Sequence, residues 1–473
     1  MAGLFGALGD SVKALTAHSR TIETTGRNLA NVNNPNYARQ RVNLGDRGSV
    51  QTEIGAQSLG LEALSLQQMR DVLLDRQVVR ETSLTSSYQA QQSGYQNAQA
   101  ALGQSLDRAG EANATGTSGS GSGIGDSLTT FFNSFESLAS SPTDPGERQS
   151  LFQDAGILTD RIRATDSRLA QAQADLTSQA TSDLSDANRM LTNIANLNAE
   201  IGRFEIAVPG GAVDLRDQRQ AQVEELAKKI NVETQLDPTN PSEIQVFVRD
   251  SSGTPVILVD KASVTGPLTL TGAVVKGGAS ATTLAATSGS IVGSITARDG
   301  GIKTLRDNLD LLAKQLVTSV NSAYNPTNST GDFFTPANIT AATISVASSV
   351  TALNIKASDG GAPGDNTVAR AVANLANTTF STGAGNSING TFAQHYAASV
   401  SSFGQSLATA NSQVIDHTNI TNLVRDQRDS VSGVSLDEEM TNMMKFQRAF
   451  QASSRVVQTI NELLDNVVNL GKV

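Results

Sequence analysis

The chain has 473 residues and a formal net charge of −10 at pH 7, long enough for roughly three or four domains and too acidic for a backbone-tracking nucleic-acid binder, which needs a positive footprint. It contains no cysteine, which excludes disulfides, thiol nucleophiles and cysteine metal sites. Aromatic residues make up only 4% and tryptophan is absent, so no dense aromatic core is expected. Met1–Leu15 lacks the basic start, apolar run and small-residue cleavage site of a secretory signal, and no stretch approaches the ~20 apolar residues of a membrane span, so no membrane insertion is expected.

Leu8, Leu15, Ile22 and Leu29 fall at seven-residue intervals with Phe5 and Val12 beside them, which predicts a helix with one apolar seam. Between Asn28 and Tyr37, five asparagines and Pro35 end it in a specified turn, because asparagine bonds its own main chain and proline disfavours helix at the residue before it. Residues 42–66 alternate weakly through Val42, Leu44, Val50, Ile54, Leu59, Leu61 and Leu64, which predicts short strands or an irregular hairpin. Helix returns from Arg70, with Tyr88, Tyr95 and Leu102 on one seam, and Thr115–Gly125 reads as a flexible Gly/Ser connector. Phe131, Phe132 and Phe135 anchor a short helix, and Pro142 and Pro145 fix the turn that follows.

Ile162, Leu169, Leu176, Leu184, Leu191, Ile194, Leu197, Ile201 and Phe204 then predict a helix of about forty residues, roughly 60 Å long. Pro209-Gly210-Gly211 breaks it before an amphipathic helix over 213–232. The period changes where Ile244, Val246 and Val248 alternate with their neighbours and Asp250–Gly253 turns the chain back, so 233–297 is expected as an inserted β domain. Helix resumes at Ile302–Val320, and 331–391 is expected as a second small insertion holding a short helix at 367–377. A helix through Val400–Val424 leads to the last one. There Ser435 and Glu438 suggest a capping box, Gly471 a stop, and Leu436, Met443, Phe450, Val457 and Leu464 a second seven-residue seam, widened by Phe446, Ile460 and Val467.

The two ends therefore match. The expected fold class is mainly α with inserted β domains: 1–33 and 434–473 pair as a terminal coiled coil, 34–232 with 298–330 and 392–433 form a long-helix bundle next to it, 233–297 is an outward-facing β insertion and 331–391 a second small insertion. Two ordinary amphipathic helices packed on a globular core are the alternative. Catalytic signals are weak. His18, His395 and His417 stand apart from one another, and His417 on an apolar seam reads as a packed residue. Gly119–Gly125 lacks the spacing, the preceding strand and the lysine of a phosphate loop. Asp437-Glu438-Glu439 is explained by the dipole of the helix it opens. No metal site and no cofactor are expected.

Asn31, Asn33, Pro35 and Tyr37 belong to a segment that resembles the asparagine-rich signature of the bacterial flagellar axial proteins, the rod, hook and hook-associated subunits. The family usually has glycine where this chain has Asn36. Arg70–Arg76, Leu128–Phe135 with Pro142–Arg148, Gly364-Asp365-Asn366 and above all Ser430–Glu439 resemble its hook-associated members. The resemblance implies a structural subunit rather than an enzyme: an adaptor at the hook–filament junction, needed for filament assembly, with Leu8, Leu15, Ile22, Leu29, Leu436, Met443, Phe450, Val457 and Leu464 as its assembly seam. It further implies that the chain partners itself in a ring, the hook subunits, the next hook-associated junction protein, and a flagellar export chaperone at the C-terminal segment. The location implied is the extracellular flagellum, reached through the flagellar secretion channel without a cleaved signal. The alternative is a secreted binding module or effector on a coiled-coil stalk, which needs only one terminal coil.

Overall fold

The computed structural model describes residues 2–46, 48–52, 55–58, 60–102, 123–328, 331–362 and 364–470. Contacts divide the chain into two compact units, one of residues 1–85, 184–289 and 417–473, the other of 86–183 and 290–416. Ile54, Leu59, most of the Thr115–Gly125 connector and Gly471 lie outside the described residues.

The first unit opens with helix α1 (Ala2–Ala30). Strands β1 (Gln40–Asp46) and β4 (Leu61–Gln68) form an antiparallel ribbon running from Gln40 opposite Gln68 to Asp46 opposite Leu61, with a bulge between Asn43 and Leu44; β2 (Ser49–Thr52) and β3 (Gly55–Ser58) make the small hairpin between them. The ribbon packs on α1. Helix α2 (Val72–Leu102) begins with Asp71 as its cap, whose Oδ1 accepts from the Leu73 N–H at 2.8 Å.

Past the connector, the N-terminal part of the second unit holds helix α3 (Ile124–Ser140). Helix α4 (Pro145–Ala207) has 63 residues, longer than the forty expected, because the apolar stripe already starts at Leu151 and Leu158, both fully buried. Pro145 occupies the first helical position, where its missing N–H costs nothing.

Returning to the first unit, α5 (Val213–Lys229) precedes the expected β region. Strands β5 (Glu233–Leu236), β6 (Ile244–Arg249), β7 (Pro255–Asp260) and β8 (Ser263–Val264) form one antiparallel sheet in chain order. Strands β9 (Thr269–Thr271), β10 (Val274–Gly277) and β11 (Thr282–Thr283) form a second in the order β11-β10-β9. The strands end at Thr283, and the last eight residues of the expected β domain are instead helix α6 (Ser290–Ala297), in the second unit. Close helix packing decides this against β propensity: a Cβ at Gly293 would stand 2.1 Å from the Ser87 carbonyl oxygen, so α6 lies directly on the α2 backbone.

In the second unit a π-turn at Arg298–Ile302, with Gly300 off helical geometry, joins α6 to α7 (Lys303–Tyr324). Its core contradicts the expectation of no dense aromatic cluster. Few in number, the rings are gathered in one place: Phe131 lies 5.2 Å from Phe135, Phe333 5.0 Å from Phe334 and 5.2 Å from Tyr324, and Phe380 4.9 Å from Phe392. The edge-on and tilted contacts suit the ring quadrupole. The segment 331–391 supplies Phe333, Phe334, Ile344, Phe380 and Ile388 to this core, and its short helix α8 (Thr367–Asn374) packs on α3. Helix α9 (Phe392–Ser432) and helix α10 (Leu436–Leu470) complete the chain. Phe333→Ala is expected to lower the stability of the second unit by about 3–5 kcal/mol, read as a shift of the urea midpoint; a loss under about 1 kcal/mol would show that the aromatic cluster does not anchor this core.

Candidate functional site

The turn after α1 is built around one side chain. Asn28 is 1% exposed, and its amide is saturated. Nδ2 donates to the Gln40 carbonyl at 2.9 Å and to Glu439 Oε2 at 3.0 Å; Oδ1 accepts from Tyr37 Oη at 2.8 Å and from the Gln40 N–H at 3.0 Å. Burial, then the nearby Asp214 and Asp217, push the Tyr37 pKa up, so Tyr37 stays a neutral donor. Asn31 Nδ2 donates back to the Arg27 carbonyl at 3.0 Å, and the Asn36 N–H donates to Asn34 Oδ1 at 3.1 Å. Asn36 does not take a positive φ, so asparagine meets the geometry here without a glycine. Asn33 and Pro35 are exposed, and the Pro35 carbonyl accepts from Arg428 Nη2 at 3.3 Å.

Arg39 then clamps the chain where α9 gives way to α10. Its N–H donates to the Ser432 carbonyl at 2.8 Å, its Nε to Glu439 Oε1 at 2.8 Å and its Nη1 to Glu438 Oε2 at 2.7 Å. Glu439 is 2% exposed. The expected capping box is thereby corrected: Glu438 reaches for Arg39, and Glu439, attributed from sequence to the helix dipole, is the buried centre of the joint. Arg70 ties the next layer, donating to Asp217 Oδ1 at 2.6 Å, to Asp75 Oδ2 at 3.1 Å and to the Asn36 carbonyl at 3.2 Å. Burial opposes the Arg70 charge, but Asp75 and Asp217 outweigh it and raise its pKa.

From this joint α1 and α10 run alongside each other. Asn28 meets Glu439, and a Cβ at Gly26 would lie 3.8 Å from Met443 Cε, so the pairing is antiparallel. On α1 the predicted Leu8, Leu15, Ile22 and Leu29 are half-buried; the fully buried positions are Ala17, Thr21, Thr24, Thr25 and Asn28. The threonine hydroxyls bond carbonyls of their own helix, as Thr25 Oγ1 does to Thr21 at 2.9 Å, leaving methyl groups to pack. On α10 the predicted Met443, Val457 and Leu464 are half-buried, whereas Leu436 and Phe450 are exposed. A strict seven-residue row drifts ~20° per heptad around a straight helix, so this row starts on the shoulder of α10 and reaches the interface only further along. Among the described residues of α10, Ile460 is the buried apolar one.

Both shoulders of α10 stay apolar and open to solvent. Leu436, Met440 and Met444 are 46–54% exposed on its first half, and Val456, Leu463 and Val467 are 38–49% exposed on its second. The histidines serve packing. His395 Nε2 lies 3.2 Å from the Asn308 carbonyl, and His417 Nδ1 lies 3.5 Å from Glu81 Oε2. Among the described residues no group of three or more potential metal ligands exists, and no helix is long and apolar enough to cross a membrane.

The family model described as the flagellar hook-associated protein FlgK helical domain matches residues 113–331, and the flagellar basal body rod FlgEFG protein C-terminal model matches 425–470. Flagellar hook-associated protein 1 of Bacillus subtilis is 25% identical over 523 residues, covering 99% of each chain. Along nearly its whole length the chain is similar to the flagellar hook-associated proteins. Flagellar hook-associated protein 1 of Salmonella typhimurium is 23% identical over 569 residues, covering 98% of this chain and 99% of that one. The flagellar hook junction protein FlgK from Burkholderia pseudomallei aligns with a TM-score of 0.45 at 20% identity, covering 55% of this chain and 46% of that one. The second family model falls on the end of α9 and on α10, the segment that the joint holds.

Arg39→Ala strands the Glu439 carboxylate and is expected to cost about 3–5 kcal/mol, most of it recovered when Glu439→Gln is added; equal losses in single and double variants would dissolve the proposed coupling. Burial also holds the His18 imidazole below its ordinary 6.5. The folded state thus binds fewer protons than the unfolded one, and stability complete above pH 6.5 declines as the pH falls below it. The wild type should therefore lose more melting temperature than His18→Gln between pH 7.5 and 5.5, as followed by circular dichroism.

Proposed function

We propose that the chain is a structural subunit of the bacterial flagellum, the adaptor at the hook–filament junction on which filament assembly depends. The observation that carries this is the pairing of the two ends: α1 and α10 lie together, bonded from Asn28 to Glu439 across 411 residues of sequence, while apolar side chains on the outside of α10 stay uncovered. A stalked binder needs one terminal coil; an axial subunit needs both ends in one pair, presented to neighbours. The subunits stand side by side in a homo-oligomeric ring, with hook subunits below and the next hook-associated junction protein above. In this reading 1–33 and 434–473 are the assembly domain, the bundle of 34–232, 298–330 and 392–433 supports it, and the β insertion 233–297 carries no axial contacts. A flagellar export chaperone covers the C-terminal segment until assembly, and export runs through the flagellar secretion channel without a cleaved signal. The role is structural rather than catalytic: the charges at the joint are spent on one another, Arg39 on Glu438 and Glu439, Arg70 on Asp75 and Asp217.

Met444→Asp and Leu463→Asp test it. Both side chains are about half exposed in the single chain (54% and 47%), so a carboxylate there should change monomer stability by no more than about 0.5 kcal/mol, whereas covered by a neighbour it would be desolvated without a partner at a cost of several kcal/mol. Val457→Asp is a less clean probe, because Val457 is half-buried in the single chain. In a strain lacking the chain, the wild type should restore filaments seen by electron microscopy and the two exposed-site variants should not. Normal filaments from both variants would overturn the proposed seam; failure of the wild type to restore filaments would overturn the function.

A further inference from the structure

The sulfur of this chain is concentrated at the start of α10. Three of its six methionines, Met440, Met443 and Met444, fall within five positions, and because cysteine is absent, thioethers are the only sulfur present. Around a helix that steps about 100° per residue, Met440 and Met444 lie about 40° apart and Met443 about 60° to the other side of Met440. Their surroundings divide accordingly. Met440 is 49% and Met444 54% exposed, whereas Met443 is half-buried, its Cε 3.8 Å from where a Cβ at Gly26 of α1 would stand. Met69 and Met190 are half-buried as well. Leu436, Val456, Leu463 and Val467, also exposed on α10, are hydrocarbon and inert to mild oxidants.

We propose that Met440 and Met444 form a modification site, at which a peroxide in the surroundings converts the free chain to its methionine sulfoxide form. A lone pair on sulfur attacks one peroxide oxygen, and the S–O bond forms as the O–O bond breaks. Sulfur is oxidised by two electrons and the peroxide reduced; the departing hydroxide takes the proton of the new S–OH group and leaves as water. Access to the oxidant sets the order of reaction. The two outer side chains stand in solvent and react first, whereas Met443 must wait for α10 to lift from α1. The product is a polar, chiral side chain where an apolar one stood. In the single chain the new S=O dipole is hydrated, so the fold is kept. Covered by a neighbour it loses that hydration without gaining a partner, so the oxidised chain no longer offers the first half of α10 as an adhesive surface. That consequence rests on the assembly role proposed above; the site itself does not. Methionine, unlike leucine of similar volume, thus makes this surface responsive to oxidant, and methionine sulfoxide reductases reverse the change.

Full-length chain held in dilute hydrogen peroxide and sampled with time by peptide mass mapping should gain oxygen at Met440 and Met444 about tenfold faster than at Met443, Met190 or Met69, with an unchanged circular dichroism spectrum. Equal rates at the five positions, or unfolding before the outer pair has reacted, would overturn the site. On a hydrophobic-interaction column the oxidised chain should elute earlier and return to its first position after treatment with reductases for both sulfoxide epimers. The variant carrying Met440→Leu and Met444→Leu should not shift with peroxide; a shift as large as the wild type's would place the reactive sulfur elsewhere and overturn the site too. The consequence is read with Met440→Gln and Met444→Gln together, which set a polar group at the end of an unbranched side chain of similar length. In a strain lacking the chain this variant should restore about a tenth of the wild-type filaments or fewer, and restoration equal to the wild type's would overturn the switch. A wild type that restores no filaments would instead overturn the junction reading, and the peptide map then decides the site alone.

Discussion

A carboxylate taken out of water must be given back, by protein groups, the hydrogen bonds and countercharge it has lost, or it destabilises the fold by several kcal/mol. Glu439 is in that position at the start of α10, and Arg39 and Asn28 are its partners. Each of those is committed in turn, Arg39 to the last carbonyl of α9 and Asn28 to Tyr37 and Gln40. The direction in which α10 leaves the unit follows from where this one charge can be satisfied. The pairing of the termini, and the exposure of the outer face of α10, follow from that direction.

The two units solve the problem of a chain poor in aromatics differently. In the second, rings from α3, α7 and the irregular segment 331–391 are pooled into one cluster, so that a stretch with little regular secondary structure is held by what it buries. In the first, the buried face of α1 is made of alanine, threonine and asparagine. Small side chains allow close approach but bury little apolar area, about 25 cal/mol per Å², and the polar joint contributes the specificity that a thin apolar seam lacks.

Much of this was legible in the sequence. The long helices, the Asn-rich turn, the alternating strands after Glu233 and the matching seams at the two ends all announce themselves by period, because burial along a regular element repeats with its geometry. What escaped was interaction between distant segments. Nothing local marks Arg39 as the partner of Glu439 or sets Asn28 apart from the other asparagines of its turn. The helix at Ser290–Ala297 reads as strand until Gly293 is seen against Ser87. The drift of Leu436 and Phe450 off the interface was predictable in kind, since a seven-residue repeat on a straight helix cannot hold one face. The small-residue row Ala17, Thr21, Thr24 and Asn28 was also visible, at helical spacing, to a search that did not require apolar side chains.

The bond from Asn28 to Glu439 also bears on the order in which the chain folds. Joining residues 411 apart in sequence while the intervening chain is still unstructured costs about 5 kcal/mol of loop-closure entropy beyond a constant. Hairpins such as β1–β4 and the helices need only neighbours and form first. Once these elements have packed together, with Arg428 of α9 bonded to Glu224 and to the Pro35 carbonyl, Arg39 stands beside Ser432 and the remaining closure is short. The terminal pair is therefore the last part of its unit to form and the first to open. A newly made chain holds its most adhesive helices apart for as long as the rest of it is unfolded.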